Sequence, residues 1–218
     1  MSKSRVVTPG MRQVIVNGEL MGEIPELHDD RKNAEAARAF LKSIGRKLPE
    51  ITQEQSMFRQ ARSFMRAADE IHARDMRGDQ KNELGFVPCI VNCSFAIELY
   101  LKTLAFVNDG AELRGHRLYD DLWLCLSDPA KAIVEEECHR VCETRKLKRR
   151  TVVSEALQQM NSAFVEWRYA FEERFIKGFP LQDASVVGAA LDAVCGRAVQ
   201  QAAAGVATGR NCAKDSID

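Results

Sequence analysis

The apolar segment of residues 90–107 constrains the fold of this chain more than any other part of the sequence. It is apolar on almost every side of a predicted helix, yet it carries one acid and one base, Glu98 and Lys102. A helix that is apolar all round is normally central and buried, and buried charges persist only with partners. Because these two residues are four positions apart, they share one helix face and are predicted to pair there.

The composition narrows the class of protein. The 218 residues suit one domain with appendages, and a hydrophobic content of 45% is enough for a real core. Basic and acidic residues number 31 each, so no overall charge recruits nucleic acid or membranes. Seven cysteines and no apolar signal-peptide core fit reduced thiols in a cytosol. We expect a cytoplasmic protein without a membrane span.

The chain is predicted to consist of an arm, a bundle and a tail. Residues 1–28 form the arm, which contains a short β-hairpin because Asn17-Gly18 lies between two apolar runs. Residues 29–204 form the helical bundle, and residues 205–218 form a flexible tail. One hairpin alone is only marginally stable, so we expect it to pack on the helical body or on a partner.

Apolar spacing and end signals predict the helices of this bundle. The second helix begins with a capping box, Thr52-x-x-Gln55. Ser127-Asp128-Pro129 is typical of a helix start, and Asn108-Asp109-Gly110 of a helix end. The predicted helices cover residues 29–48, 52–76, 88–108, 116–126, 127–144 and 154–176, with a last helix around residues 187–198. The fold class is therefore all-α, with the hairpin as an addition.

Glu98, Lys102 and His116 form the first candidate site. Gly115-His116 opens the segment after the central helix, near the positive end of a helix dipole. In one interpretation the three residues are a structural ion pair that fixes helix register, with His116 bonded to a carbonyl. In the other they are catalytic, since titratable groups with perturbed pKa values concentrate in active sites. The sequence leaves both interpretations open.

Arg168 belongs to a second cluster, Trp167-Arg168-Tyr169-x-x-Glu172. Arg168 and Glu172 are again four positions apart and are predicted to pair. The structural interpretation joins them to Glu98 and Lys102 in one interhelical network. The functional interpretation makes Arg168 a fork for phosphate, because a guanidinium group binds phosphate oxygens in pairs.

Two further patterns suggest contact with nucleic acid. Arg66 and His72 lie on one predicted helix, where an arginine could bind phosphate and a histidine could act as acid or base on a ribose hydroxyl. The basic run of residues 145–150 could bind a phosphate backbone without reading sequence, or it is a solvated loop. Its cations are Arg145, Lys146, Lys148, Arg149 and Arg150, and Tyr169 is a further candidate RNA contact.

Several kinds of site are not expected. The chain has no glycine-rich phosphate loop and no nucleophile elbow. Cys138-His139-x-x-Cys142 is a tight trio, but a second ligand pair at zinc-finger spacing is missing. We therefore expect neither a metal nor a cofactor.

Three motifs together resemble the HEPN superfamily, a group of all-helical domains common in prokaryotic toxin–antitoxin and phage-defence systems. They are Phe95-Ala-Ile-Glu-Leu-Tyr-Leu-Lys102, Gly115-His116-x-Leu118-x-x-x-Leu122 and Trp167-Arg168-Tyr169. The resemblance covers about residues 55–176. It implies an up-and-down bundle of four or five helices, which is often dimeric.

The resemblance also implies an association with RNA. Many HEPN proteins are metal-independent ribonucleases whose site is an arginine followed four to six residues later by a histidine, while others bind RNA or partners without cleavage. Here no histidine follows Arg168, and the matching spacing, Arg66 to His72, lies in an early helix. The favoured hypothesis is a homodimeric, HEPN-like module that binds RNA or a partner protein in a defence, toxin–antitoxin or stress system. The alternatives are a ribonuclease that uses His116, or Arg66 and His72, and a structural or assembly protein.

Overall fold

A computed structural model describes residues 8–16, 19–46, 51–77, 82–169 and 178–212, with side chains up to residue 204 in the last helix. These residues form two strands and seven α-helices, so the chain is mostly helical with an N-terminal antiparallel hairpin. The all-α class is thereby confirmed. The chain divides into two units, Met1–Ile51 and Thr52–Asp218.

The first unit begins with the predicted hairpin. Strands β1 (Met11–Val16) and β2 (Glu19–Pro25) pair antiparallel, with Val16 opposite Glu19. The turn residues themselves, Asn17-Gly18, lie outside the described residues. The hairpin is thus confirmed from its two strands and their register.

Helix α1 (Asp30–Ser43) packs on this hairpin. The two elements share a small core of Val14, Ile24 and Leu41. The helix is shorter than the predicted one of residues 29–48, because Gly45 has a φ of +72° and turns the chain out of the helix. Since α1 and the hairpin share one core, the boundary predicted after residue 28 runs through a single unit.

Six α-helices build the second unit. They are α2 (Gln53–Ile71), α3 (Phe86–Asp109), α4 (Asp128–Thr144), α5 (Val153–Gln159), α6 (Ala163–Arg168) and α7 (Leu181–Cys212). Short π-helical turns extend α2 over His72–Met76 and precede α4 over Leu118–Trp123. Helix α3 contacts α2, α6 and α7, and α4 also packs against α7. The central position of α3 places its charged residues among several elements.

Helix α3 is the buried helix that the apolar segment predicts. Ile90, Ile97, Leu101 and Leu104 are fully buried, and the helix ends at Gly110 in a left-handed conformation with a φ of +64°. Among the described helices, it is the one long and apolar enough to cross a membrane. However, 61% of the apolar window concerned is buried inside the protein, as in a core helix.

The predicted helix of residues 154–176 is wrong as a single element. The chain forms α5 and α6 instead, with a turn at Met160–Ser162, and residues 170–177 lie outside the described part. Asn161 explains the break. Its backbone carbonyl accepts from the Leu118 amide at 2.9 Å, and its side-chain oxygen accepts from the Tyr119 amide at 2.9 Å. These bonds to a distant turn replace the helical ones.

The local signals at other helix ends are confirmed. Thr52 and Gln55 form both bonds of the capping box, at 3.4 and 3.3 Å, and Pro129 lies in the first turn of α4. Helix α7 is longer than predicted: it runs to Cys212, into the segment predicted as a flexible tail. Sequence signals thus define starts more reliably than lengths.

Candidate functional site

The structure brings Glu98, Lys102 and His116 together, and we call these three residues the Glu98 network. Lys102 Nζ donates to Glu98 Oε1 at 2.8 Å, and His116 Nδ1 lies 3.0 and 3.1 Å from the two carboxylate oxygens. Glu98 is 1% exposed, whereas the His116 side chain is 56% exposed. A proton on Nδ1 satisfies the carboxylate and leaves Nε2 with a free lone pair. The network therefore joins a buried acid to an imidazole at the surface.

Gly115 and Asp121 hold the backbone of His116 in place. The Asp121 carboxylate accepts from the backbone amides of His116 and Arg117, at 3.3 and 3.1 Å. The Arg117 guanidinium and these bonds lower the pKa of Asp121. Gly115 has a φ of +98°, and a Cβ atom at this position would overlap with the Asp121 carboxylate. The Gly-His dipeptide is thus explained by a close approach that only glycine permits.

Substitution of Gly115 by alanine is expected to cost about 1–3 kcal/mol of stability, because alanine is strained at this φ and collides with Asp121. Urea unfolding measures the loss, and the imidazole NMR signals of His116 are expected to shift. Gly110→Ala is the matched control, since Gly110 also has a positive φ but has open space around its Cβ position. An equal loss in both variants would contradict the role of the close contact.

The aromatic ring of Phe164 contacts both His116 and Arg168. The imidazole centroid lies 5.7 Å from the phenyl centroid, and the guanidinium carbon lies 4.9 Å from it. The same guanidinium lies 4.8 Å from the ring of Tyr169. The predicted partner Glu172 is outside the described residues. An imidazole and a guanidinium thus share one aromatic platform, next to the buried network.

A second candidate site lies between α2 and α7. Two cavities of about 550 Å³ and about 310 Å³ share four lining residues, Met65, Asp69, Arg145 and Ser185. They adjoin, and we call the combined depression the α2–α7 groove. His116 and Arg168 line neither cavity, so the groove and the Glu98 network are separate places in the second unit.

Arginines outnumber carboxylates along the groove. The guanidinium groups come from Arg62, Arg66, Arg77 and Arg145, and the carboxylates from Asp69 and Asp192. Asp192 accepts from the Tyr100 hydroxyl at 2.8 Å and pairs with Arg62 Nε at 3.2 Å, which offsets the charge of Arg62. Within the lining, Arg66, Arg77 and Arg145 then remain against Asp69. The chain as a whole is neutral, so the excess of positive charge here is local. Such an excess attracts anions.

Asp69 lines both cavities and has an unusual electrostatic position. Partial removal from water raises its pKa, and the positive charges of Arg145, His72 and Arg77 partly offset the rise. Burial, aided by the Asp69 charge, also raises the pKa of the neighbouring Cys89 thiol to about 11. The raised pKa favours the protonated thiol of Cys89 at neutral pH.

Arg66 and His72, predicted from one helix, both line the groove. Arg66 lines the smaller cavity and pairs with Glu70 at 2.8 Å, with its side chain 82% exposed. His72 starts the π-helical turn after α2 and lines the larger cavity, with Arg77 and Arg145. The groove thus contains both members of the predicted pair, on adjoining cavities.

The basic run of residues 145–150 divides between several environments. Arg145 enters the groove and donates to Ser185 Oγ at 3.0 Å. Arg149 pairs with Asp183, which also accepts from the Thr151 hydroxyl at 2.7 Å. The remaining cations are exposed: Lys146, Lys148 and Arg150. Only part of the run therefore contributes to the groove, and Arg149 stabilises the link to α7.

Sequence reasoning missed four of the six charged residues that line the groove: Arg62, Asp69, Arg77 and Asp192. Arg62, Arg66 and Asp69 follow each other at intervals of four and three, which places them on one face of α2 and could have revealed them. Ser185 and Asp192 carry no such signal. They meet α2 only because α7, far along the chain, packs beside it.

The cysteines and histidines give no metal centre in the part of the chain that the structure describes. No group of three or more His, Cys, Asp or Glu side chains is arranged there to hold a metal ion. Cys138 and Cys142 are buried in α4, where the Cys138 thiol contacts the Thr151 carbonyl at 3.6 Å. Comparisons with models of protein families, with curated proteins and with solved structures found no match to this chain.

Proposed function

We propose that the second unit is a HEPN-like helical module that binds RNA in the α2–α7 groove. The observation that carries this proposal is the convergence of four arginines on two adjoining cavities of a chain with no net charge. Guanidinium groups match phosphate oxygens in geometry and keep their charge at any physiological pH. A phosphate backbone is the polyanion that such an arrangement suits.

The exposed cations of the basic run, residues 145–150, extend the positively charged groove. Arg145 lies in the groove, and Lys146, Lys148 and Arg150 follow it along the chain with exposed side chains. Cations of this kind supply affinity for the backbone without reading sequence. We therefore expect binding that depends strongly on salt and weakly on base sequence.

A titration of labelled RNA with the full chain tests the proposal. Fluorescence anisotropy is measured over a series of salt concentrations, and the logarithm of the binding constant is expected to fall linearly with the logarithm of salt. Free phosphate and an acidic peptide serve as competitors. Absence of RNA binding at low salt, or binding with no salt dependence, would refute the proposal.

Replacement of Asp69 by asparagine is expected to strengthen RNA binding severalfold at neutral pH, because it removes a negative charge shared by both cavities. The variant should also be slightly more stable. The pKa of Asp69 is raised in the folded state, so its ionised form lowers the free energy of unfolding. This loss of stability is largest above the raised pKa and disappears as pH falls below the ordinary pKa of aspartate. The differences in RNA affinity and in free energy of unfolding between wild type and variant should therefore vanish in acid, where Asp69 is neutral in both states. Anisotropy and urea unfolding over a pH series check this, and a difference that persists in acid would contradict it.

A second candidate function is metal-independent cleavage of RNA in the same groove. The observation in its favour is that His72 lines the larger cavity together with Arg77 and Arg145. A histidine there can take the proton from a ribose 2′-hydroxyl, whose oxygen then attacks the adjacent phosphate. The bond to the 5′-oxygen breaks, that oxygen takes up a proton, and a 2′,3′-cyclic phosphate remains. The arginines would stabilise the charge of the transition state.

The Glu98 network offers an alternative histidine for this chemistry. Glu98 fixes the His116 ring, and Arg168 shares the Phe164 platform with it. Incubation of RNA with EDTA and with His72→Ala or His116→Ala variants separates the possibilities. Loss of cleavage in one variant, with binding retained, identifies the catalytic histidine. If the wild-type chain leaves the RNA intact, cleavage is excluded and only the binding function remains.

The remaining expectations concern assembly and setting. The HEPN resemblance suggests a cytoplasmic homodimer in a defence, toxin–antitoxin or stress system, with a protein partner as a further candidate ligand. A purely structural role would instead assign the hairpin and α1 to oligomer contacts. Because these elements share one core, a test of that role removes residues 1–51 together. Sedimentation equilibrium of both chains then shows whether the first unit is needed for assembly.

A further inference from the structure

The larger cavity of the groove is apolar at depth and charged at its entrance. Ala68, Cys89 and Cys93 are buried in its wall, and the partly buried side chains of Met65, Leu147 and Leu181 complete the apolar surface. The exposed groups around it are polar or charged: Asp69, Arg77, Arg145 and Gln182. An anion alone would fill this space poorly, because a charge against an apolar wall loses its hydration.

The two cavities differ in a way that suits two parts of one ligand. The larger, of about 550 Å³, has the size of pockets that hold small organic ligands, which range over about 300–1,000 Å³. The smaller cavity next to it is lined by Arg62 and Arg66, and Arg145 lies on both. The size and apolar wall of the first cavity suit a small, weakly polar group, and the arginines suit phosphates next to that group.

We infer that the larger cavity receives one unpaired RNA base, and that the groove therefore selects single-stranded over double-stranded RNA. This inference rests on the proposed function and specifies its substrate. A base in a duplex is stacked and paired, and both interactions must be broken before it can leave the helix. A base in a single strand is already free to enter. The apolar wall removes the faces of the base from water, and His72 and Gln182 offer polar groups to its edge.

The test compares a single strand with a duplex of the same length and sequence. A duplex carries the denser charge, so pure backbone binding favours the duplex. A cavity that receives one base instead predicts that the single strand binds the full chain about tenfold more tightly, because the base is buried against the apolar wall. A single 2-aminopurine in the strand reports its environment, and its fluorescence is expected to rise when this base leaves its neighbours and enters the cavity.

Two variants fill the cavity without removing any positive charge. Ala68→Met inserts a longer apolar side chain into the wall, and Gln182→Trp places a large ring at the entrance from an exposed position on α7. Both are expected to lower single-strand affinity about tenfold and to leave duplex affinity unchanged. Gln158→Trp, on the exposed side of α5, is the matched control. If Ala68→Met fails to fold, Gln182→Trp alone decides the outcome.

The outcomes separate this inference from the proposed function. Equal binding of single strand and duplex, or an unchanged preference in Gln182→Trp, overturns the base pocket while the arginine groove still binds RNA. Loss of preference in Gln182→Trp but not in Gln158→Trp supports the pocket. Binding of neither RNA overturns the proposed function itself. If a fatty acid abolishes the change in 2-aminopurine fluorescence while anisotropy shows that the strand stays bound, the cavity is assigned to a lipid and the inference is also overturned.

Discussion

Replacement of Glu98 by alanine is expected to destabilise the protein by about 3–5 kcal/mol, more than any other single substitution proposed for this chain. Glu98 is 1% exposed and accepts from both Lys102 and His116. Its removal leaves the ammonium group of Lys102, whose side chain is only 17% exposed, without its carboxylate. The loss is measured as the free energy of unfolding in urea, followed by the circular dichroism of the helices.

Two control variants show whether the loss of stability comes from the unpaired charge of Lys102. Glu98→Leu combined with Lys102→Met removes both charges and is expected to recover most of the stability, because an apolar pair of similar volume often replaces a buried ion pair without cost. His116→Ala is expected to cost much less than Glu98→Ala, since the His116 side chain is 56% exposed and water replaces its bond. A double variant as unstable as Glu98→Ala would contradict this explanation.

The double substitution Arg66→Ala and Arg145→Ala is expected to weaken RNA binding about a hundredfold, because each guanidinium group removed takes with it a charge-assisted hydrogen bond to phosphate that contributes about tenfold in affinity. Arg66 lines the smaller cavity and Arg145 lines both. The slope of the logarithm of the binding constant against that of salt is expected to decrease by about two, one for each phosphate that is no longer neutralised. Anisotropy titrations at several salt concentrations measure both quantities.

The stability of this double variant is expected to change little. The Arg66–Glu70 pair is exposed, and exposed pairs contribute about 0–1 kcal/mol. Arg31→Ala is the matched control for charge, because Arg31 is 90% exposed on α1 and pairs only with Glu35 among the ion pairs described for it. An equal loss of affinity in Arg31→Ala would mean that overall charge, and not the groove, binds the RNA.

The sequence predicted those features whose causes are local. The capping box of Thr52 and Gln55, the helix end at Gly110 and the start at Pro129 each depend on a few adjacent residues. The meeting of Glu98 and Lys102 depends only on helical spacing, which holds wherever the helix lies. Such features are encoded within one or two turns of chain.

The break between α5 and α6 had no readable local cause. The periodicity of Leu157, Met160, Phe164 and Trp167 predicts a continuous helix, and all four side chains are indeed buried. Asn161 nevertheless bonds to the turn at residues 118–120, which lies about forty positions earlier in the chain. A long-range hydrogen bond overrode the helical pattern.

The groove likewise combines features that the sequence shows locally with features that arise only from helix packing. Arg62, Arg66 and Asp69 lie on one face of α2 by spacing alone, and the basic run is visible as a run. Their meeting with Cys89 of α3 and with Ser185 of α7 follows from the packing of these helices side by side.

The sequence by itself thus determined that α3 is buried, that its acid and base pair, and that helices form the body of the protein. Only the tertiary structure decided that His116 completes the Glu98 network and that Arg66, His72 and Arg145 line one groove. The physical reason is the distance along the chain over which each kind of interaction acts. Helix periodicity and capping act over a few residues, whereas a cavity exists only after elements distant in the chain have packed together.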